Sequence, residues 1–220
     1  MTLEEIQFNL SSENPQLRMR GLTALRQIEP EVAAPILLAQ AADPEMIVRS
    51  FVMMGLGYKR SDAGFAKLVE VMEDDADSNI RAEAAGALAK FGPVAVPYLV
   101  RHFHQDQHWL SRMTVVLALP DLCCPQEFLE VATIAANSTE AAVRSTALEQ
   151  LPMLLETPYA EEALVVLLNH VSDPVWSVRC NVVLGLRMFD DDRAREALLL
   201  LRNDEDHRVV AATLEGMIWQ

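Results

Sequence analysis

The chain of 220 residues is strongly acidic, with 18 Lys and Arg against 32 Asp and Glu and a formal net charge of −14. This charge disfavours nucleic acid and anionic membranes as partners, because both would repel it. An acidic N-terminus, three irregularly spaced cysteines and the lack of an apolar run of about 18 residues predict a cytoplasmic protein without membrane insertion or a disulfide framework.

One pattern recurs along the chain: a turn residue, an Arg six residues later, and an apolar series that ends in Leu seven residues after the Arg. The clear units pair Asp43 with Arg49, Asp75 with Arg81, Asp106 with Arg112, Ser138 with Arg144, and Asp173 with Arg179. The terminal units depart from the pattern, as terminal repeats usually do. Asn14-Pro15 precedes Arg18, and Asp204 leads to Val210 and Met217 without an Arg. Self-similarity at this period indicates a repeat architecture.

Each period predicts two helices. The first helices are predicted over 33–40, 64–73, 94–104, 126–136, 160–171 and 193–202, and the second, Arg-bearing helices include 48–58 and 80–91. Positions −1, +3 and +7 relative to the Arg are apolar, which places them on one face of a helix. Position +6 is small, as in Gly55, Gly185 and Gly216, so neighbouring helices can approach closely. The pattern predicts an all-α fold, a right-handed solenoid of about seven helical hairpins, as a single domain over 1–220.

The Asp and Arg residues of the repeat have an expected structural role. An Asp or Asn before a helix caps its free N–H groups, and a Pro just inside the helix is preorganised for the first turn. The Arg can then reach the carboxylate or the carbonyl groups of the neighbouring repeat's turn. We therefore expect a ladder of Asp–Arg contacts that fixes how the repeats stack.

The opposite face of the second helices carries few charges. Its positions are +1, +2, +5 and +9 from the Arg, and Trp219 lies on it in the last unit. The candidate partner-binding residues are Phe51, Met54, Tyr58, Glu83, Thr114, Leu117, Glu149, Asn181, Leu184 and Met188. A Met-rich surface with few charges indicates a protein-binding patch. The alternative is that curvature of the array buries these residues between repeats.

Two clusters could carry chemistry. His102, His104 and His108 lie close together, but the stretch crosses a predicted helix end and a metal site would need further ligands. Cys123 and Cys124 lie in an inter-helix turn; with Cys180 they could contact an iron–sulfur cluster or carry a thioether, although two buried small apolar residues are the simpler interpretation. No catalytic motif is present, and no catalytic residue or metal site is predicted.

Residues 43–57, 75–88 and 173–186 resemble the short HEAT-like repeat of the phycobilisome-lyase type, the NblB/CpcE-like family, with its consensus Asp-x-x-x-x-Val-Arg-x-x-Ala-x-x-Ala-Leu-Gly. The resemblance implies a non-enzymatic scaffold, monomeric or in a heterocomplex, that holds a phycobiliprotein on the concave face of the second helices without a cofactor. One alternative that it implies is a phycobilin lyase subunit or chromophore-detaching factor that binds phycobilin transiently. A third hypothesis is an iron–sulfur or metal assembly factor.

Overall fold

A computed structural model describes residues 1–215, and within that range the chain forms fourteen α-helices and no strand. The predicted all-α class of about seven helical hairpins is confirmed. Gly216, Met217 and Trp219, which the repeat pattern assigns to the last helix, lie outside the described residues.

The helices fall into two compact units, Met1–Val115 (unit 1) and Val116–Gln220 (unit 2). Unit 1 contains α1 Leu3–Leu10, α2 Pro15–Ala24, α3 Pro30–Ala39, α4 Met46–Tyr58, α5 Asp62–Asp74, α6 Ser78–Ala89, α7 Val96–Gln105 and most of α8 Trp109–Ala118. Unit 2 contains α9 Pro125–Ala136, α10 Ala141–Gln150, α11 Ala160–Leu168, α12 Trp176–Leu186, α13 Asp192–Leu201 and α14 His207–Leu214. That the whole chain forms a single domain stays a prediction.

Four predicted first helices differ from the structure by two or three residues at one end. Helix α5 begins at Asp62 rather than at residue 64, and α11 ends at Leu168 rather than at residue 171. Helix α3 begins at Pro30 rather than at residue 33, because proline is well suited to the first turn of a helix. Helix α7 begins at Val96 rather than at residue 94, because Gly92 turns the backbone with φ +81° and residues 93–95 form a short 3₁₀ turn. These shifts leave the pairing of first and second helices unchanged.

The predicted core face of the second helices is buried. In α4 the residues at −1, +3 and +7 from the Arg are Val48, Val52 and Leu56, and none is accessible to solvent. The leucine at +7 is equally buried in every clear unit: Leu56, Leu88, Leu119, Leu151 and Leu186. Fully burying a Leu side chain contributes about 1.5–3 kcal/mol, so this one column of side chains stabilises each hairpin substantially.

The small residues at position +6 lie where two helices touch. A Cβ atom at Gly55 would come within 2.7 Å of Cδ2 of Leu37 on α3, and one at Gly185 within 2.7 Å of Cδ2 of Leu167 on α11. Both leucines are themselves buried. The glycines therefore allow the first and second helix of a hairpin to pack at close range, as the sequence predicts.

The turns before the second helices differ in part from the expected capping. In the first repeat Asn14 caps α2, its side chain accepting from the N–H of Gln16 at 2.9 Å, and Pro15 is the first helical residue. In the next repeat, Asp43 instead lies two residues before the N-cap, Glu45, and accepts from its N–H at 2.9 Å. Asp43 thus shapes the turn but does not cap α4, and Pro44 precedes the helix.

Candidate functional site

In unit 1 three second-helix arginines each bind the aspartate in the turn of the following repeat. In the first pair, Nε of Arg18 donates to Oδ2 of Asp43 at 2.6 Å and Nη2 donates to Oδ1 at 2.8 Å. The pairs are Arg18 with Asp43, Arg49 with Asp75, and Arg81 with Asp106. Two parallel hydrogen bonds between a guanidinium and a carboxylate fix the orientation of both groups.

Unit 2 contains the same contact twice. Arg144 donates to both carboxylate oxygens of Asp173 at 2.9 and 3.1 Å, and Arg179 donates to both of Asp204 at 2.7 Å. Arg179 and Asp173 are buried residues, where an ion pair is little screened by solvent. The ladder is therefore a packing feature, occupied by groups that already satisfy one another.

Each arginine also donates to the main chain of its own turn, six residues earlier. Nη1 of Arg49 lies 3.1 Å from the carbonyl oxygen of Asp43, and Nη1 of Arg144 lies 2.9 Å from that of Ser138. The constant spacing of six residues thus reflects a main-chain contact, whereas the aspartate side chain binds the arginine of the preceding repeat. This explains why Arg144 keeps its place although Ser138 stands where the other turns have Asp.

Against the opposing effect of burial, hydrogen bonds from the ladder arginines hold the pKa below its usual value at Asp43, Asp106, Asp173 and Asp204. Burial alone would raise the pKa of Asp106, but the hydrogen bonds from Arg81 and from the main-chain N–H of His108 hold it down to about 2. The carboxylate of Asp106 is therefore ionised at neutral and at mildly acidic pH.

Arg112 departs from the predicted ladder. Its guanidinium lies 4.5 Å from the centre of the Phe103 ring, a cation–π geometry. Its buried Nε has no hydrogen-bond partner within the described part of the chain. Its expected contact with a carboxylate is thus replaced by stacking on an aromatic ring.

The outward face of the second helices in unit 1 is here called the unit 1 surface; it consists of Phe51, Met54, Tyr58, Glu83, Lys90 and Thr114. Met54 is 41% exposed and Tyr58 68% exposed, whereas Phe51 is half-buried. Nζ of Lys90 lies 4.8 Å from the centre of the Tyr58 ring, so α4 and α6 contribute adjacent side chains. The alternative that curvature buries these residues does not hold for Met54 and Tyr58.

Unit 2 presents a comparable face, here called the unit 2 surface, formed by Leu117, Glu149, Met153, Leu184 and Met188. All five are exposed, Met188 to 61% and Met153 to 56%. Met153 is absent from the sequence-based candidates although it lies nine residues after Arg144, the position of Tyr58 and Met188 in their repeats. Applying the same rule to this repeat would have found it.

Two further candidates are half-buried between second helices. Asn181 donates its side-chain amide to the carbonyl oxygen of Ser145 at 3.2 Å, which joins α12 to α10. Thr114 faces Gly86, where an added Cβ would lie 3.5 Å from its Cγ2 atom. Both side chains contribute to packing between consecutive repeats.

The three candidate histidines lie in three environments. His102 is buried on α7, His104 is exposed near the end of that helix, and His108 lies beyond it, where its Nδ1 accepts from the N–H of Leu110 at 3.3 Å. Because α7 ends at Gln105, His104 and His108 do not share a helical face. In residues 1–215 no group of three or more His, Cys, Asp or Glu side chains is placed to hold a metal ion.

Acidification from pH 7 to pH 5 is expected to destabilise unit 1 through His102. Nε2 of His102 has no hydrogen-bond partner among the described residues and lies 3.6 Å from Oδ2 of Asp106. Burial lowers the pKa of His102, outweighing the opposing effect of Asp106. As the pH falls, the imidazole of His102 therefore binds a proton at a higher pH in the unfolded chain than in the folded one. Stability is lost as the pH falls below about 6.5.

Thermal melting at pH 7 and pH 5 measures this effect. We expect His102→Gln to melt at more similar temperatures at the two pH values than the parent protein does. His207→Gln, a change at an exposed histidine, serves as the control and should preserve the parent's difference. An unchanged difference in His102→Gln would show that other groups cause the acid sensitivity.

The three cysteines also differ. Cys124 is buried, its Sγ donates to the carbonyl oxygen of Leu119 at 3.3 Å, and burial raises its pKa to about 11. Burial also raises the pKa of the half-buried Cys180. The interpretation of Cys123 and Cys124 as two buried apolar residues was wrong for Cys123, which is exposed with a left-handed backbone, φ 55°.

The sequence matches the HEAT-repeat family over residues 34–120 and 129–218, so the chain belongs to the HEAT-repeat proteins. No curated protein sequence matches the chain. No helix in the described range is long and apolar enough to cross a membrane.

Solved structures share the fold at low sequence identity. Escherichia coli YibA is 16% identical with a TM-score of 0.71, and the match covers 100% of this chain and 87% of that one. The complex of CpcE and CpcF of phycocyanin lyase from Nostoc is 17% identical with a TM-score of 0.57, covering 99% of this chain and 87% of that one. At these identities the likeness concerns the fold alone.

Proposed function

We propose that this HEAT-repeat chain is a non-enzymatic scaffold that binds a protein partner through the exposed side chains of its second helices. The observation that carries the proposal is the exposure of apolar residues at corresponding repeat positions. Tyr58, Met153 and Met188 all lie nine residues after their arginines, and all are more than half exposed.

The chemistry of these side chains suits a binding surface. Methionine adapts its shape to irregular partners, and tyrosine combines a large apolar area with a polar tip. Exposed apolar residues also occur on first helices, as at Phe8 and Leu200. On the second helices the exposed apolar residues recur at one repeat position, nine residues after the arginine. Lys90 and Tyr58 show that neighbouring second helices contribute adjacent side chains.

A phycobiliprotein subunit is the partner that we propose. Two features support it: the repeat sequence resembles the phycobilisome-lyase type, and the fold is shared with the CpcE–CpcF complex of phycocyanin lyase.

A phycobilin lyase subunit or chromophore-detaching factor is the second candidate. The observation that favours it is the exposed thiol of Cys123, which a bilin could reach. Under this alternative, adding phycocyanobilin to the purified protein changes its visible absorbance, and Cys123→Ser abolishes the change. If Cys123→Ser keeps the full change, this thiol is not the site of attachment.

Titration with purified phycocyanin subunits, followed by calorimetry, tests the scaffold proposal. We expect the double changes Met54→Ser with Tyr58→Ser, or Leu184→Ser with Met188→Ser, to weaken binding at least about tenfold, since buried interface anchors often contribute more than 1 kcal/mol each. Phe8→Ser and Leu200→Ser remove even more exposed apolar groups, 77% and 73%, from first helices and should leave affinity unchanged. Equal losses in all variants, or no binding by the parent protein, would overturn the proposal for this partner.

A further inference from the structure

Glu83 is a carboxylate on the unit 1 surface that lacks a hydrogen-bonding partner among the described residues. It lies on α6, two residues after Arg81, and is half-buried. It forms no hydrogen bond or ion pair within residues 1–215, and burial raises its pKa, which the more distant charge of Lys90 partly offsets. A charged group that is partly removed from water without a hydrogen-bond donor is costly to the folded state.

The equivalent position in another repeat carries a polar side chain that does bind a neighbouring helix. In α12 the residue two positions after the arginine is Asn181, whose amide donates to the carbonyl oxygen of Ser145 on the preceding second helix. An ionised carboxylate cannot donate to a carbonyl group, so Glu83 cannot make this packing contact. Glu83 therefore contributes no hydrogen bond of this kind to the stacking of repeats.

The side chains that share the unit 1 surface with Glu83 are mostly apolar, and the cation among them is already engaged. Phe51 and Met54 belong to the same surface, and the cation of Lys90 lies over the ring of Tyr58 at 4.8 Å. The chain as a whole carries a net charge of −14, which attracts cationic partners from a distance. A cation on a partner could bind the carboxylate of Glu83, because no hydrogen-bond donor within residues 1–215 competes for it.

We propose that the unit 1 surface docks a protein segment that presents a Lys or Arg side chain between apolar side chains, with the cation on Glu83 and the apolar groups on Met54 and Tyr58. The inference rests on the proposed binding function and adds the chemistry of the contacting segment. A charge-assisted hydrogen bond at a site that becomes desolvated on docking supplies the specificity, while the apolar contacts supply buried area.

The test uses two synthetic amphipathic peptides of 18 residues, one built of Leu and Lys and the other with Glu in every Lys position. Binding to the whole chain is measured by fluorescence anisotropy. We expect the Leu–Lys peptide to bind and the Leu–Glu peptide to bind at least tenfold more weakly. Glu83→Gln should weaken binding of the Leu–Lys peptide about tenfold, and added salt should reduce the difference between parent and variant.

Glu31→Gln is the matched control, because it removes the same charge from an exposed position on the first helix α3. It should change affinity less than twofold. Equal effects of Glu83→Gln and Glu31→Gln, or equal binding of both peptides, would overturn the inference. If Met54→Ser with Tyr58→Ser still weakens phycocyanin binding at least about tenfold in that case, the proposed scaffold function stands without this inference.

Discussion

Replacing Asp173 with alanine is expected to lower the free energy of unfolding by about 3 kcal/mol. Asp173 is a buried residue whose carboxylate accepts two hydrogen bonds from Arg144 and one, at 2.8 Å, from the main-chain N–H of Val175. The substitution leaves the guanidinium of Arg144 largely buried without its counterion, which costs more than the pair itself contributes.

Urea denaturation of the purified chain measures this loss. Asp190→Ala is the control, because Asp190 also binds an arginine, Arg195, at 2.6 Å, but its side chain is 98% exposed. Exposed ion pairs contribute little, so the control should unfold at the parent's urea concentration. A loss of similar size in both variants would show that burial does not set the strength of the ladder.

Gly57→Ala is expected to destabilise the protein by about 1–3 kcal/mol, although alanine is the better helix former. A Cβ at Gly57 would lie 3.0 Å from both the Cβ and the carbonyl oxygen of Ala87, and 3.1 Å from its Cα. Two of these are main-chain atoms of α6, so the clash can be relieved only by moving the helices apart. The close approach of α4 and α6 at this point therefore depends on the missing side chain.

Gly86→Ala provides the opposite case on the neighbouring helix. A Cβ there would lie 3.5 Å from Cγ2 of Thr114, an ordinary contact distance. Replacing this mid-helix glycine should stabilise the protein by about 0.5–1 kcal/mol, because less backbone entropy is lost on folding. The melting temperatures of Gly57→Ala and Gly86→Ala, measured against the parent protein, test both expectations. A shift of the melting temperature in the same direction for both variants would contradict the packing argument.

The repeat and its core follow from the sequence because they depend on local periodicity. The spacing of Val48, Val52 and Leu56 is that of one helical face, and the structure buries all three. The role of the aspartates is harder to predict from the sequence. The side chain of Asp43 binds Arg18, 25 residues earlier in the chain, whereas its main-chain carbonyl binds Arg49. Sequence spacing alone does not separate a side-chain contact from a main-chain one.

The candidate binding surface could also be predicted only in part from the sequence. Helical geometry places Tyr58 and Met188 on the outward face, but it does not reveal that the side-chain amide of Asn181 donates a hydrogen bond to the carbonyl oxygen of Ser145. Nor does it reveal that Cys123 turns outward while Cys124 turns inward, because that depends on the left-handed backbone at Cys123. The hydrogen-bonding state of each polar side chain requires the packing of neighbouring repeats.

The arginine contacts also bear on how each unit folds. Every ladder pair joins residues only 25 to 29 positions apart. The hydrogen bonds of each ladder arginine within residues 1–215 go to its own turn and to the next one. Such a structure has low contact order, and its stability is a sum over neighbouring repeats. Folding of each unit can therefore begin at any hairpin pair and spread to the adjacent one, without waiting for distant parts of the chain to meet.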